Sequence, residues 1–130
     1  VKRDRMGRLM TFLCRQQALG RTSSAWGLGI EEGSVVVVDR DGLGTVHGEV
    51  AYMVQADGPA DGCSDEQHAL NYQGFKVWRL DEGSQYNFAR RPHLGYYRID
   101  VTDGVLSANP YEPPAQTEAN LAPRGDPGLR

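Results

Sequence analysis

The chain has 130 residues, of which 39% are hydrophobic, and it contains 16 glycines, seven prolines and two cysteines. This is the size of one domain with its own core, and the sequence has no apolar run near the roughly 18 residues of a membrane span. The net charge of −3 is unevenly distributed: residues 1–21 carry six basic and one acidic side chain (+5), and the other residues carry eight basic and 16 acidic ones (−8). A basic end on an acidic body favours contact with a negatively charged partner.

Residues 3–19 predict an amphipathic helix. The apolar positions follow the i, i+3, i+4, i+7, i+8 spacing of one helical face: Met6, Leu9, Met10, Leu13 and Cys14. Arg5, Arg8 and Arg15 fall largely off this stripe, so we expect them at the surface. Gly20 is suited to ending the helix because glycine readily adopts a left-handed backbone.

The middle of the chain predicts strands. Residues 34–39 contain four consecutive valines, Val35 to Val38, which favour a strand covered on both faces. The turn signal at Asp41-Gly42 and the partly alternating residues 45–55 predict a hairpin with that strand. Residues 57–66 have a loop composition.

Three further strands are predicted after the loop. In residues 75–80 the side chains of Phe75, Val77 and Arg79 point one way, and those of Lys76, Trp78 and Leu80 point the other. Residues 96–101 form a fourth strand, and residues 105–106 begin a short fifth after the turn at Asp103-Gly104.

The predicted fold class is α+β: an N-terminal amphipathic helix packed on a mainly antiparallel sheet of four to five strands. The single domain spans residues 1–108. Residues 109–130 hold five prolines and few apolar side chains, so they predict a flexible, disordered tail. Cys14 and Cys63 are expected to be free thiols, because no secretory signal is recognisable, and the expected location is the cytoplasm.

Several residues have the chemistry of a metal or catalytic site without the full pattern. His47-Gly48-Glu49 has the His-x-Glu order of zinc deaminases but lacks the Pro-Cys-x-x-Cys that follows in them. Cys63 and His68, with Asp65 and Glu66 between them, are chemically suitable metal ligands but have no second paired half. Cys63 with His93 would make a nucleophile and base. The non-functional interpretation of these residues is that they are polar strand residues, a loop thiol and a surface histidine. We favour it and predict no metal and no cofactor.

A second basic cluster contains aromatic residues: Arg90, Arg91, His93, Tyr96, Tyr97 and Arg98. Arginines that pair with phosphates and rings that stack on bases are typical of single-stranded nucleic-acid binding. The competing interpretation, which we favour because the body is acidic, is a strand with core-facing tyrosines and solvated arginines.

Two stretches resemble class II (N-terminal-nucleophile) glutamine amidotransferase domains. RTSSAWGLGI, residues 21–30, is similar to that family's RG-x-D-x-x-G segment, and EEGSVVVVDRDG suits the hairpin that follows it. Further on, Gly95-Tyr-Tyr-Arg98, Thr102, Gly104 and residues 109–111 (NPY) are similar to its GHTR-x-x-T-x-G…N-x-HPF stretch. The resemblance implies that Arg98 holds a substrate carboxylate. The family's N-terminal cysteine is missing, since the sequence starts at Val1, so the resemblance implies a degenerate or truncated domain.

The leading functional interpretation is non-enzymatic. We expect an interaction or assembly module, such as a component of a phage or a large complex, that presents its basic helix to an acidic protein surface or a nucleic acid. The expected partner-binding residues are Lys2, Arg3, Arg5, Arg8, Arg15, Arg90 and Arg91. An amidotransferase-like domain is the alternative, a nucleic-acid-binding protein is the third interpretation, and an oligomer is compatible with all three.

Overall fold

A computed structural model of the protein describes residues 5–60, 63 and 69–114. These residues form one helix and eight strands: α1 (Met6–Ala18), β1 (Ala25–Ile30), β2 (Val35–Val38), β3 (Leu43–His47), β4 (Val50–Ala56), β5 (Tyr72–Asp81), β6 (Gln85–Asn87), β7 (Tyr97–Thr102) and β8 (Val105–Leu106). The strands pair antiparallel in two sheets. Sheet A has five strands in the order β1-β4-β5-β7-β8, and sheet B has three in the order β2-β3-β6.

The two faces of sheet A are covered by different elements. On one face α1 packs against β1, β4 and their neighbours around a core that includes Met10, Phe75 and Tyr97. On the other face sheet B covers a second core that includes Met53, Trp78 and Tyr86. The predicted α+β class, with one helix on an antiparallel sheet, is therefore confirmed, and sheet B is an additional layer.

The helix follows its apolar stripe. Met6, Met10, Leu13 and Cys14 are buried. Leu9 is half-buried because it lies over β1, where the absent side chains of Gly27 and Gly29 make room for it. The helix ends at Ala18, and Gly20 adopts a φ of +73° as the sequence predicts. No helix in the described ranges has the length and apolar character needed to cross a membrane.

The strand alternation predicted for residues 75–80 is confirmed in β5. Phe75 and Val77 face the α1 side, and Trp78 and Leu80 face sheet B. The strand predicted over residues 45–55 instead divides into β3 and β4, because Gly48 turns the chain with a φ of +104°. This turn passes the chain from sheet B to sheet A.

The four-valine strand exists, but its predicted burial is wrong. β2 is an edge strand of sheet B, and Val35, Val37 and Val38 are each at least half exposed. Only Val36 packs on the second core. A run of valines thus indicates a strand and leaves open whether a second layer covers it.

The prediction of two free thiols is also wrong. Cys14 of α1 and Cys63 form a disulfide, with their Cα atoms 5.7 Å apart and both residues buried. The distance lies in the usual range for a disulfide. The pair lies 49 residues apart in sequence, so only the tertiary fold brings it together.

The chain remains packed on the domain beyond residue 108. Pro110 is buried, and its carbonyl oxygen accepts a hydrogen bond of 2.6 Å from the Tyr97 hydroxyl. Tyr111 packs its ring on Tyr52, and residues 112–114 are exposed. The rest of the predicted tail, and most of the loop predicted at residues 57–66, lie outside the described residues.

Candidate interaction surface

The first turns of α1 carry two exposed arginines. Arg5 and Arg8 are exposed, and within the described ranges neither guanidinium forms an ion pair. Arg15 is half-buried near the other end of the helix and has an interaction of its own. Lys2 and Arg3, the other predicted contact residues of this segment, lie outside the described residues.

The start of α1 is electrostatically positive for a second reason. The first backbone N–H groups of a helix have no partner within it, and together they act as a partial positive charge. Here the first turn contains no acidic side chain and no side-chain cap. One of these groups, the Met6 N–H, donates to the Tyr111 hydroxyl at 3.1 Å. Arg5 and Arg8 therefore add their charge to an end of the helix that already favours anions.

A groove of about 490 Å³ lies between the start of α1 and the end of β1. Apolar and aromatic residues form most of its lining, together with Arg5 and two glutamates. The lining residues are Arg5, Met6, Leu9, Leu28, Gly29, Ile30, Glu31, Glu32, Tyr52 and Tyr111. Its volume lies in the range of concave ligand sites, and its lining combines apolar residues with three charged ones.

The polar groups around Tyr52 have partners within the protein. The Tyr52 hydroxyl donates to the Tyr111 carbonyl oxygen at 3.1 Å, and that oxygen also accepts a 2.9 Å hydrogen bond from Arg79. Burial raises the pKa of Tyr52, while the nearby Arg79 charge opposes the rise. The burial effect is the larger of the two, so the phenol stays protonated, and its hydrogen bond to Tyr111 gives it a structural role here.

The second basic cluster is divided between core and surface. Tyr97 is buried and Tyr96 half-buried, whereas Arg90, Arg91 and His93 are exposed. The arrangement is the one we favour from sequence, with tyrosines packed inward and arginines in solvent. Tyr96 packs edge-on against Trp78, with the Lys76 ammonium 5.3 Å from its ring centre.

Arg91 contacts a residue that the sequence does not single out. Its guanidinium lies 4.6 Å from the ring centre of Trp26 in β1, which is a cation–π contact. Trp26 is 41% exposed and also lies near Phe88, with the ring centres 6.3 Å apart. The sequence feature that could have indicated this site is the alternation of Trp26, Leu28 and Ile30 with glycines, which places the three side chains on one face of a strand.

Arg98 lies on β7, exposed, against the backbone of β5. A Cβ added at Gly74 would be 2.6 Å from a guanidinium nitrogen of Arg98. The neighbouring Asp100 carboxylate accepts a 2.6 Å hydrogen bond from the Gly74 N–H. The glycine at position 74 thus allows the Arg98 side chain to lie flat on the sheet.

The metal and catalytic candidates are not brought together. Cys63 is in the disulfide, so it is no free nucleophile for His93, and His47 and Glu49 are both exposed at the turn after β3. Asp65, Glu66 and His68 lie outside the described residues. Within the described part of the chain, no group of three His, Cys, Asp or Glu side chains is placed to hold a metal ion.

The surface features therefore concentrate along β1: a groove with Arg5 at one end, an aromatic and arginine pair at the other, and apolar side chains between. Comparison with known proteins adds no family to this description, since no protein-family model, no curated protein and no solved structure matches the chain.

Proposed function

We propose that this protein is a non-enzymatic interaction or assembly module that presents its basic N-terminal helix to an acidic partner. The observation that carries the proposal is the pair of exposed guanidinium groups of Arg5 and Arg8 at the positive end of α1. They stand on a body whose remaining residues are strongly acidic. Such a charge distribution accelerates and orients association with a negative surface more than it adds raw affinity.

The experiment is binding of the full chain to poly-L-glutamate at two salt concentrations. We expect binding that weakens steeply as salt rises, because exposed charges are screened within about 8 Å at 0.15 M ionic strength. The double substitution R5E/R8E should reduce binding about tenfold or more, which is 1.4 kcal/mol or more. The control R40E/R98E changes the net charge equally at two exposed arginines away from α1, so it should have a much smaller effect.

Two outcomes would contradict the proposal. An equal loss in both double variants would show that only net charge matters, and no binding of the wild-type chain at low salt would remove the acidic partner altogether.

A single-stranded oligonucleotide serves as the second probe. The contact between Arg91 and the exposed Trp26 ring favours this third interpretation, since stacking rings beside arginines bind single strands. A preference for the oligonucleotide that is lost in W26A would favour it over an acidic protein.

The compartment belongs to the same proposal. The cytoplasmic location expected from sequence stays a prediction, and the Cys14–Cys63 disulfide favours an oxidising environment instead. Thiol titration of the protein taken from its native source would separate the two, because a cytoplasmic protein should yield two reactive thiols.

A further inference from the structure

The outer edge of β1 has the features of a sheet edge that can accept another strand. β1 is an outer strand of sheet A and pairs only with β4 among the described residues. Its six residues, AWGLGI, contain no charge and no proline, and its pairing with β4 has no bulge. Natural proteins use charges, prolines and bulges to protect exposed edges, so an unprotected edge of this length is a template for pairing.

The hydrogen-bond pattern identifies which backbone groups are free. The Glu31 N–H, directly after β1, donates to the Val50 carbonyl at 3.1 Å. In an antiparallel ladder the residues that bond to one neighbour alternate with those that face the other side. The N–H and C=O groups of Trp26, Leu28 and Ile30 therefore point away from β4, toward the open edge.

Apolar side chains flank this edge on both faces of sheet A. On the sheet B face, Trp26 is 41% and Ile30 48% exposed, with Leu28 between them. On the helix face, Leu9 covers the glycines of β1, and Phe12, one turn further along α1 from it, is 61% exposed. A strand added at β1 would remove apolar surface from water on both sides.

We propose that the occupant is a second copy of this chain, paired antiparallel through β1 about a two-fold axis at Leu28. Residues paired across such an axis lie on the same face, so Leu28 meets its own counterpart and Trp26 meets Ile30 of the other copy. All three pairs then use the free backbone groups, and the two A sheets join into one sheet of ten strands. This dimer goes beyond binding of an acidic partner and does not depend on it.

Charge complementarity is the reason for choosing a second copy. The Trp26 end of the edge carries Arg91, 4.6 Å from the ring centre. The Ile30 end is followed by the half-buried Glu31 and the exposed Glu32, which outnumber the one arginine of the same groove, Arg5. Antiparallel pairing brings the Arg91 end of each copy to the Glu32 end of the other, twice. The exposed β2 edge lacks this property, because Glu31 and Glu32 precede it, and Asp39 and Asp41 follow it with one arginine, Arg40, between them. Self-pairing there would place acidic ends together.

The test is sedimentation velocity of the full chain over a range of concentrations. We expect a monomer–dimer equilibrium that I30K weakens at least about tenfold, because lysine would lie at the joined edge next to Arg91 of the other copy. The control V37K places the same charge at a strand residue of similar exposure, 54%, away from β1, and should change the dimer Kd by less than about twofold. Circular dichroism verifies that both variants are folded.

A charge swap keeps the proposal falsifiable if I30K fails to fold. E32R and R91E should each dimerise weakly alone, and an equimolar mixture of the two should form a heterodimer at near wild-type strength. R8E, which should weaken binding to poly-L-glutamate, should leave the dimer unchanged, so the two proposals fail separately. A wild-type chain that is monomeric up to about 1 mM, equal effects of I30K and V37K, or no heterodimer in the mixture would overturn the inference.

Discussion

Replacing Leu13 by alanine tests the packing of α1 on sheet A. Leu13 is 3% exposed, and its two methyl carbons lie 3.3 and 3.7 Å from the position a Cβ would take at Gly27. The substitution removes one buried methine and two buried methyl groups, worth about 0.8 kcal/mol each, and leaves a cavity under the helix. We therefore expect the free energy of unfolding to fall by about 2–5 kcal/mol.

The measurement is urea denaturation followed by circular dichroism, at a protein concentration where the chain is monomeric. Leu19→Ala is the matched control, because it makes the same chemical change at the end of the same helix, where the side chain is 66% exposed. We expect that control to lie within about 0.5 kcal/mol of the wild type. Equal losses in the two variants, or a loss below about 0.5 kcal/mol for Leu13→Ala, would mean that the apolar stripe of α1 does not hold the core.

Other predictions concern the disulfide, one tyrosine, two glycines and catalysis. Reducing the Cys14–Cys63 bond, which joins residues 49 apart, should lower the free energy of unfolding by about 4 kcal/mol through loop entropy and lower the melting temperature. Two reactive thiols in the native protein would contradict the presence of this bond. Burial raises the pKa of Tyr86 to about 12. The contribution of the protonated Tyr86 to the free energy of unfolding is therefore complete below pH 10 and is lost as pH rises toward 12. Y86F should flatten that decline in urea titrations. Gly48→Ala should destabilise by more than about 1 kcal/mol, since φ is +104° and the new Cβ would meet a backbone oxygen, whereas Gly7→Ala, with open space in α1, should stabilise slightly in the same assay. The chain should release no ammonia from glutamine, because both cysteines are bonded to each other; release that vanishes in C63A would restore the amidotransferase-like alternative.

The elements that were predictable from sequence are those with a clear period. The helix follows its 3.6-residue stripe, and β5 follows its two-residue alternation, because in both cases the core selects side chains on one face at a time. The hairpin between β2 and β3 was predictable from the turn at Asp41-Gly42. These signals are local, so they survive without knowledge of the tertiary fold.

The strand β1 was not predicted from the sequence. Gly27 and Gly29 look unfavourable for a strand in isolation, yet here they leave the space that Leu9 and Leu13 occupy. The residue that favours the strand is in another element, so the sequence of β1 alone does not contain the reason for it. The exposure of Val35 and Val37 was unpredictable for a related reason, since burial depends on whether another layer covers the strand.

The candidate surface was predictable only in part. The exposed Arg5 and Arg8 follow from the helical pattern, whereas the contact between Trp26 and Arg91 joins a strand residue and a loop residue 65 positions apart. Chain topology places the loop before β7 beside β1, and no local pattern reports that. The basic cluster predicted at residues 90–98 therefore includes the correct arginines but omits Trp26, the ring that Arg91 contacts.

The two proposals reinforce each other through the symmetry of the dimer. A two-fold axis perpendicular to sheet A keeps both copies of α1 on the same face, so Arg8 and its counterpart would face one side of the assembly. An extended acidic partner could then contact both helices, and its second contact would be intramolecular, which increases affinity without a new kind of contact. Binding of the wild-type chain to long poly-L-glutamate should therefore be tighter and more salt-dependent above the dimer Kd than below it. I30K should bind poly-L-glutamate with the weaker affinity and the weaker salt dependence at all protein concentrations, although this variant carries one more positive charge. Tighter binding by I30K than by the wild-type chain would show that the helices act singly, and that the dimer has no part in binding.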